Sequence, residues 1–327
     1  MIDDHLGVTS DVLETTRDLH AMGSDCSLRV VVGDDRGVPL LDRAVDLVRD
    51  LERRWSRFVR ESELCQLNEH SGAPVFTSPE TVAIVALAID AWRATDGRFD
   101  PTLLDALVDA GYDTTFDDVR ARGAVAGNER RAVAAHDLDR AVHDLDRVEI
   151  DRRTSMVHAP AGLHLDLGGI GKGRAADLVF AQLLADGAVG ACIDLGGDLR
   201  LGGTTAEGTG WAVVVDDPFR PGEDLVTVGV AAGAITTSST LRRRWPGDVA
   251  DAHHLIDPTT GAPSRSGLAA VTVLAAEAAW GEAHAKAAVI AGPRDGRALI
   301  ERAGLSALFV HDDRSTEYVG SFADFVL

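Results

Sequence analysis

The run Leu163–Gly173, LHLDLGGIGKG, restricts what this chain can fold into more than any other stretch. Apolar and polar residues alternate up to Asp166, which predicts a strand. Four glycines then fall within six positions, at Gly168, Gly169, Gly171 and Gly173, with Lys172 between the last two. A helical pattern follows at once in Ala175, Leu178, Val179, Leu183 and Leu184. A glycine turn that feeds a helix start brings backbone N–H groups close to a ligand and adds the positive end of the helix dipole; Lys172 adds a full charge. This chemistry favours a phosphate or pyrophosphate.

Two common phosphate loops are excluded. Gly171-Lys172 is followed by Gly173 where a Walker-type loop needs Ser or Thr, and Asp166 stands in the place of its first glycine. A dinucleotide fingerprint built on Gly169-Ile170-Gly171 would need glycine or alanine at Arg174.

With 327 residues the chain can bury a substantial core, as one large domain or two intimate ones. A formal net charge of −20 opposes contact with a phosphate backbone, so no nucleic-acid partner is expected. Lys172 and Lys286 are the only lysines, and every other basic side chain is arginine. In a chain so poor in lysine, each survivor marks a place that arginine serves badly. Cys26, Cys65 and Cys192 are widely spaced and odd in number, which points to a reducing compartment without a thiolate metal site. The acidic N-terminus has no apolar signal core and no run is long enough to span a bilayer, so a cytoplasmic protein without stable membrane insertion is expected.

Along the chain, residues 1–20 read as a loose acidic lead-in to a single domain over residues 21–327. A strand is expected at Leu28–Val32, an amphipathic helix at Asp42–Phe58, and a second helix capped by Ser78 and closed by Gly97. Residues 117–147 read as a charged surface insertion. It contains HDLDRAV at 136–142 followed directly by HDLDRVE at 143–149, with a His/Asp metal site as the alternative reading. Short strands follow at Ala191–Leu195, Trp211–Val215 and Val271–Leu274, and a helix at Glu277–Ile290 ended by Gly292. Strands separated by glycine turns, with a few helices interspersed, predict an α+β fold of mixed or antiparallel sheets with helices packed around them.

Several segments carry chemistry only in company. Asp166 to Gly173 is similar to D-x-G-G-I-A-K-G, the hallmark of the ApbE family of FAD:protein FMN transferases, with Gly171 in place of alanine. His254-Leu255-Ile256-Asp257-Pro258, continuing to Gly261 and Pro263, resembles the family's H-I-I-D-P-x-T-G-x-P. Weaker matches keep the family order: Met22-Gly23-Ser24 to M-G-T, the segment Phe58–Asn68 to a motif ending in Asn, Phe99-Asp100-Pro101-Thr102 to F-D-x-T, Asp194–Asp198 to N-L-G-G-D, and Thr236-Thr237-Ser238 to A-T-S-G. Taken alone, Met22 reads as a buried residue at a strand entry, Thr102 as a helix cap, and Thr237 and Ser238 as turn caps. The resemblance runs from about Met22 to Gly304.

The resemblance implies an enzyme that binds FAD and moves its FMN half to a Ser or Thr hydroxyl of an acceptor protein, releasing AMP. It implies flavin contacts at Met22, Gly23, Asn68, Asp100, Thr102, Asp166, Gly169, Lys172, Gly196, Gly197, Asp198, Thr237, Ser238, His254 and Ile256. Lys172 would neutralise charge, and His254 or Asp257 would position or deprotonate the acceptor hydroxyl. Family members bind Mg²⁺ through an A-D-x-x-A-T-A helix and a carbonyl of the glycine turn, which places the ligands at Gly171, Glu282 and Lys286. Lys286 departs from that pattern, because an ammonium does not ligate a cation. It reads either as an i to i+4 partner of Glu282 or as a charge that takes over part of the metal's work. Two other functions fit the same residues: an FAD-binding protein or FAD pyrophosphatase that modifies no protein, and an inactive acidic interaction protein of the same fold.

Overall fold

The strand Leu268–Ala275 is apolar on both faces, which demands cover on both sides of its sheet. It belongs to an eight-stranded sheet in a computed structural model that describes residues 12–123, 145–208, 210–246 and 252–327. The strands are β1 (Leu13–Ala21), β2 (Ser24–Val32), β3 (Gly190–Leu195), β4 (Asp198–Gly203), β5 (Gly233–Ser239), β6 (Leu268–Ala275), β7 (Ser306–His311) and β8 (Thr316–Val319). They lie side by side in chain order, and every neighbouring pair is antiparallel.

Period-two alternation sorts the side chains between two cores. Leu28, Val30, Ile193, Val271 and Phe309 point into the main core. Helices α1 (Gly37–Trp55), α2 (Gly171–Ala185) and α3 (Ala278–Arg302) cover that face. Val31, Leu201, Ile235, Ala270 and Leu308 point the other way, beneath the hairpin of Trp211–Asp216 and Asp224–Val230. A third cluster joins Leu107, Tyr112, Trp245 and Ile256 beside the sheet.

Two contacts fix α3 against α2. The Asp177 carboxylate on α2 accepts the N–H groups of Ala278 and Ala279 at 2.8 and 3.0 Å and so caps α3 from outside. Gly173 meets the same turn, where a Cβ would lie 2.5 Å from the Ala278 carbonyl. The α3 backbone breaks at Gly292, as the sequence predicts.

Two tight turns stand at one end of the sheet. Met22-Gly23 joins β1 to β2 with φ of 52° and 65°, and Gly196-Gly197 joins β3 to β4 with φ of 71° and 90°. Paired left-handed residues are what a two-residue hairpin requires, and Met22 adopts that conformation without glycine's freedom.

The sequence expectations need three adjustments. Residues 13–20 are not a loose lead-in but most of β1; an edge strand exposes one face and its polar side chains conceal the pattern. The helix expected from Asp42 starts at Gly37 and ends at Trp55. Of the expected insertion, residues 117–123 lie within the helix Phe116–Gly123 and 145–147 form a short turn, while residues 124–144, with most of the tandem repeat, lie outside the described residues. Among the described residues no helix is long and apolar enough to cross a membrane.

Candidate active site

The segment before the glycine turn is extended, but Leu163–Asp166 is not a strand. Asn68 takes the place of a neighbouring strand: its side-chain amide donates to the Leu165 carbonyl at 2.9 Å and accepts the Leu165 N–H at 2.7 Å. The Asp166 N–H donates to the Pro101 carbonyl at 2.7 Å, and the Asp166 carboxylate accepts the Gly168 N–H at 2.7 Å. The chain then turns, and Gly171 N–H reaches the Leu167 carbonyl at 2.8 Å to open α2. Lys172 thereby stands in the first helical turn, where the dipole reinforces its charge.

Both lysines of the chain converge on one carboxylate. Glu282 on α3 is fully buried. Its Oε1 accepts Lys172 Nζ at 3.0 Å and Lys286 Nζ at 2.9 Å, and its Oε2 accepts the Gly173 N–H at 2.9 Å. Lys172 also pairs with Asp198, which follows the Gly196-Gly197 turn. Burial pushes the Glu282 carboxyl up, but the two ammoniums and the Gly173 N–H outweigh it and hold the group at about 2. Burial draws the Lys172 ammonium down to about 8, against the pull of Glu282.

These donors do not fit the magnesium site that the sequence implies. Glu282 Oε1 already accepts two ammoniums, Oε2 accepts the Gly173 N–H and one Asp198 oxygen pairs with Lys172, while Asp198 Oδ1 is a buried carboxylate oxygen without a partner. Magnesium demands near-octahedral oxygen coordination, and no cluster of three or more His, Cys, Asp or Glu suited to a metal exists among the described residues.

In front of the lysines opens a cavity of about 520 Å³. Its floor is the glycine turn with Lys172 and Lys286, and Trp55, Phe58, Phe99, Tyr112 and Phe116 supply an aromatic wall. Arg57 lies over the rings of Phe58 and Tyr112, both 4.4 Å from its guanidinium carbon, and approaches Asp166 at 3.5 Å. On the far side Arg243 donates to the Gly23 carbonyl at 3.2 Å and to Ser24 Oγ at 3.1 Å. His254 also lines the cavity, and its Nδ1 is buried without a partner. Burial first, then repulsion from Arg243 and Lys286, holds its pKa well below the usual histidine range, so the imidazole is neutral.

The cavity gathers Met22, Gly23, Asp100, Asp166, Gly169, Gly171, Lys172, His254, Ile256 and Lys286 from the sequence candidates. The others stand back from it. Asn68 is spent on Leu165, and Thr102 caps no helix but gives its hydroxyl and N–H to Asp100 at 2.6 and 2.8 Å. Gly196 and Gly197 form the turn that delivers Asp198 to Lys172. Asp257 accepts the Thr259 N–H and hydroxyl at 2.9 and 2.7 Å, so it rigidifies the turn after His254, and it is not among the residues that line the cavity. Thr237 pairs with Thr272 at 2.9 Å on the sheet face away from the helices, whereas Thr236 and Ser238 are buried on the helix side.

The family model described as "ApbE family" matches residues 22–309 of this chain. The chain belongs to the ApbE family. The FAD:protein FMN transferase of Vibrio cholerae is 26% identical over 295 residues, 86% of this chain and 81% of that protein. The enzyme of the same name from Treponema pallidum is 29% identical over 298 residues, 87% of this chain and 80% of that protein. The ApbE protein of Thermotoga maritima superposes with a TM-score of 0.82 at 25% identity, covering 96% of this chain and 99% of that one. Against that family background, sequence reasoning missed Arg57, Tyr112, Glu52 and Arg243. Glu52 accepts the Met22 N–H at 2.6 Å and so holds the strained turn. Arg57 directly precedes the quoted Phe58–Asn68 motif, the one signal that pointed toward it.

Proposed function

We propose that this ApbE family protein is an FAD:protein FMN transferase, acting on a Ser or Thr hydroxyl of an acceptor protein. The observation that carries the reading is the meeting, in one cavity, of an aromatic wall, a floor of two ammoniums on a glycine turn, and a neutral imidazole. The aromatic wall suits a flat ring system, and the floor suits a pyrophosphate.

In the proposed reaction the acceptor oxygen attacks the phosphorus of the FMN half. The bond from that phosphorus to the bridging oxygen breaks, and AMP leaves with that oxygen. The hydroxyl proton passes to His254 Nδ1, which has no hydrogen-bond partner and belongs to an imidazole that burial keeps neutral. Lys172 neutralises charge on the leaving phosphate from the first turn of α2. The three free cysteines support a cytoplasmic setting for the reaction.

The test is AMP release from FAD by the purified protein, with and without an acceptor fragment bearing Ser or Thr, followed by mass spectrometry of the acceptor. AMP together with an FMN-sized mass gain is the expected outcome. AMP and free FMN without an acceptor would establish a pyrophosphatase instead, and failure to bind FAD would leave an inactive interaction protein.

A further inference from the structure

Lys172 and Lys286 line the cavity, while the carboxylates that hold them, Glu282 and Asp198, lie behind and do not. A ligand on the floor therefore meets ammoniums first. Each ammonium carries three donors. Lys286 spends one on Glu282, and Lys172 spends two, on Glu282 and Asp198, so both keep hydrogen-bonding capacity for an incoming anion. Their stems are confined as well. A Cβ at Gly169 would lie 3.4 Å from Lys286 Cδ, and one at Gly196 would lie 3.9 Å from Lys172 Cδ. Lys286 thus runs beneath the glycine turn and Lys172 beside the β3–β4 turn.

We propose that Lys172 and Lys286, clamped on Glu282, act as a resident pair of cations that faces and screens a dinucleotide pyrophosphate, so that the site binds its substrate without a divalent metal ion. The inference rests on the flavin reading above and names how the same site manages charge. Two ammoniums carry the charge of one magnesium ion, and the Glu282 and Asp198 carboxylates behind them offset it as carboxylate ligands would offset a metal's. A magnesium ion would have to displace a lysine to reach Glu282 Oε1, which two ammoniums fill, and would share Oε2 with the Gly173 N–H. Fixed lysines satisfy a phosphate as point charges and need no rearrangement of that kind.

The experiment is equilibrium titration of FAD into the whole protein, read by flavin fluorescence, once in EDTA and once in excess MgCl₂. Dissociation constants that agree within about twofold are expected for the wild type. Lys286→Thr, which replaces the ammonium with a hydroxyl, should lose about tenfold or more in affinity in EDTA. Circular dichroism checks that this variant is folded, and the wild-type comparison stands without it. Wild-type affinity that collapses about tenfold on chelation would overturn the inference while leaving the flavin reading intact. Wild-type affinity for FAD in EDTA equal to that of folded Lys286→Thr would also overturn it. Absence of FAD binding in both buffers would overturn the flavin reading itself.

Discussion

Replacing Glu282 with Gln keeps the volume of the side chain and removes the charge on which both lysines depend. At 3.0 Å and an effective dielectric constant near 20, each ammonium contributes roughly 5 kcal/mol of gross attraction, and desolvation of the buried carboxylate offsets most of it. The net effect can be read from the carboxyl itself, held at about 2 against an ordinary 4.5, which corresponds to about 3 kcal/mol. Loss of one member of a buried ion network falls in the same range, roughly 3–5 kcal/mol. Glu282→Gln should therefore lower the unfolding free energy by about 3 kcal/mol at neutral pH, measured by urea denaturation followed by circular dichroism. Lys286→Met in the Glu282→Gln background should restore about 1 kcal/mol or more, because it removes the stranded ammonium. The pH dependence has a definite sign. A depressed carboxyl stabilises fully above its unfolded value of 4.5, and that contribution fades as pH falls toward about 2, so the gap between wild type and variant should close over that window. A Glu282→Gln protein within about 1 kcal/mol of wild type at neutral pH would refute the reasoning.

Gly173→Ala should be more damaging than an ordinary glycine substitution in a helix. Its Cβ would strike the Ala278 backbone at 2.5 Å, so a loss of roughly 2 kcal/mol or more is expected in the same denaturation assay. FAD affinity should decline as pH rises through about 8, where Lys172 loses its proton; fluorescence titration across that range checks it. Asn68→Ala removes both hydrogen bonds that hold Leu165, and should weaken FAD binding and lower thermal stability together, whereas Thr237→Ala, on the opposite sheet face, should leave FAD affinity unchanged.

Short-range chemistry was legible in the chain. The glycine turn at 168–173 opens α2 at Gly171, Ser78 caps its helix by accepting the Thr81 N–H, and Gly292 breaks α3, because each is set by backbone conformation within a few residues. The two-residue turn at Gly196-Gly197 follows from the same local rule. Lys172 and Lys286 stood out as the only lysines before any contact was known.

Other features were decided by partners far along the chain. Leu163–Asp166 alternates like a strand, yet its partner is the Asn68 side chain, and periodicity does not reveal what an extended segment pairs with. Leu13–Ala21 looks like a polar tail because an edge strand needs only one covered face. Asp257 and Asp198 are both acidic residues beside glycine-rich or proline-containing turns, and only the tertiary structure spends one on its own turn and aims the other at Lys172. The sequence alone determined that an anion-binding turn and two rare lysines exist. That both lysines share a single buried carboxylate, 110 residues from the first and one helical turn from the second, was decided by the packing of α2 on α3 through Gly173. Charges meet through space, and the chain carries no local mark of a meeting that depends on how two helices close over a sheet.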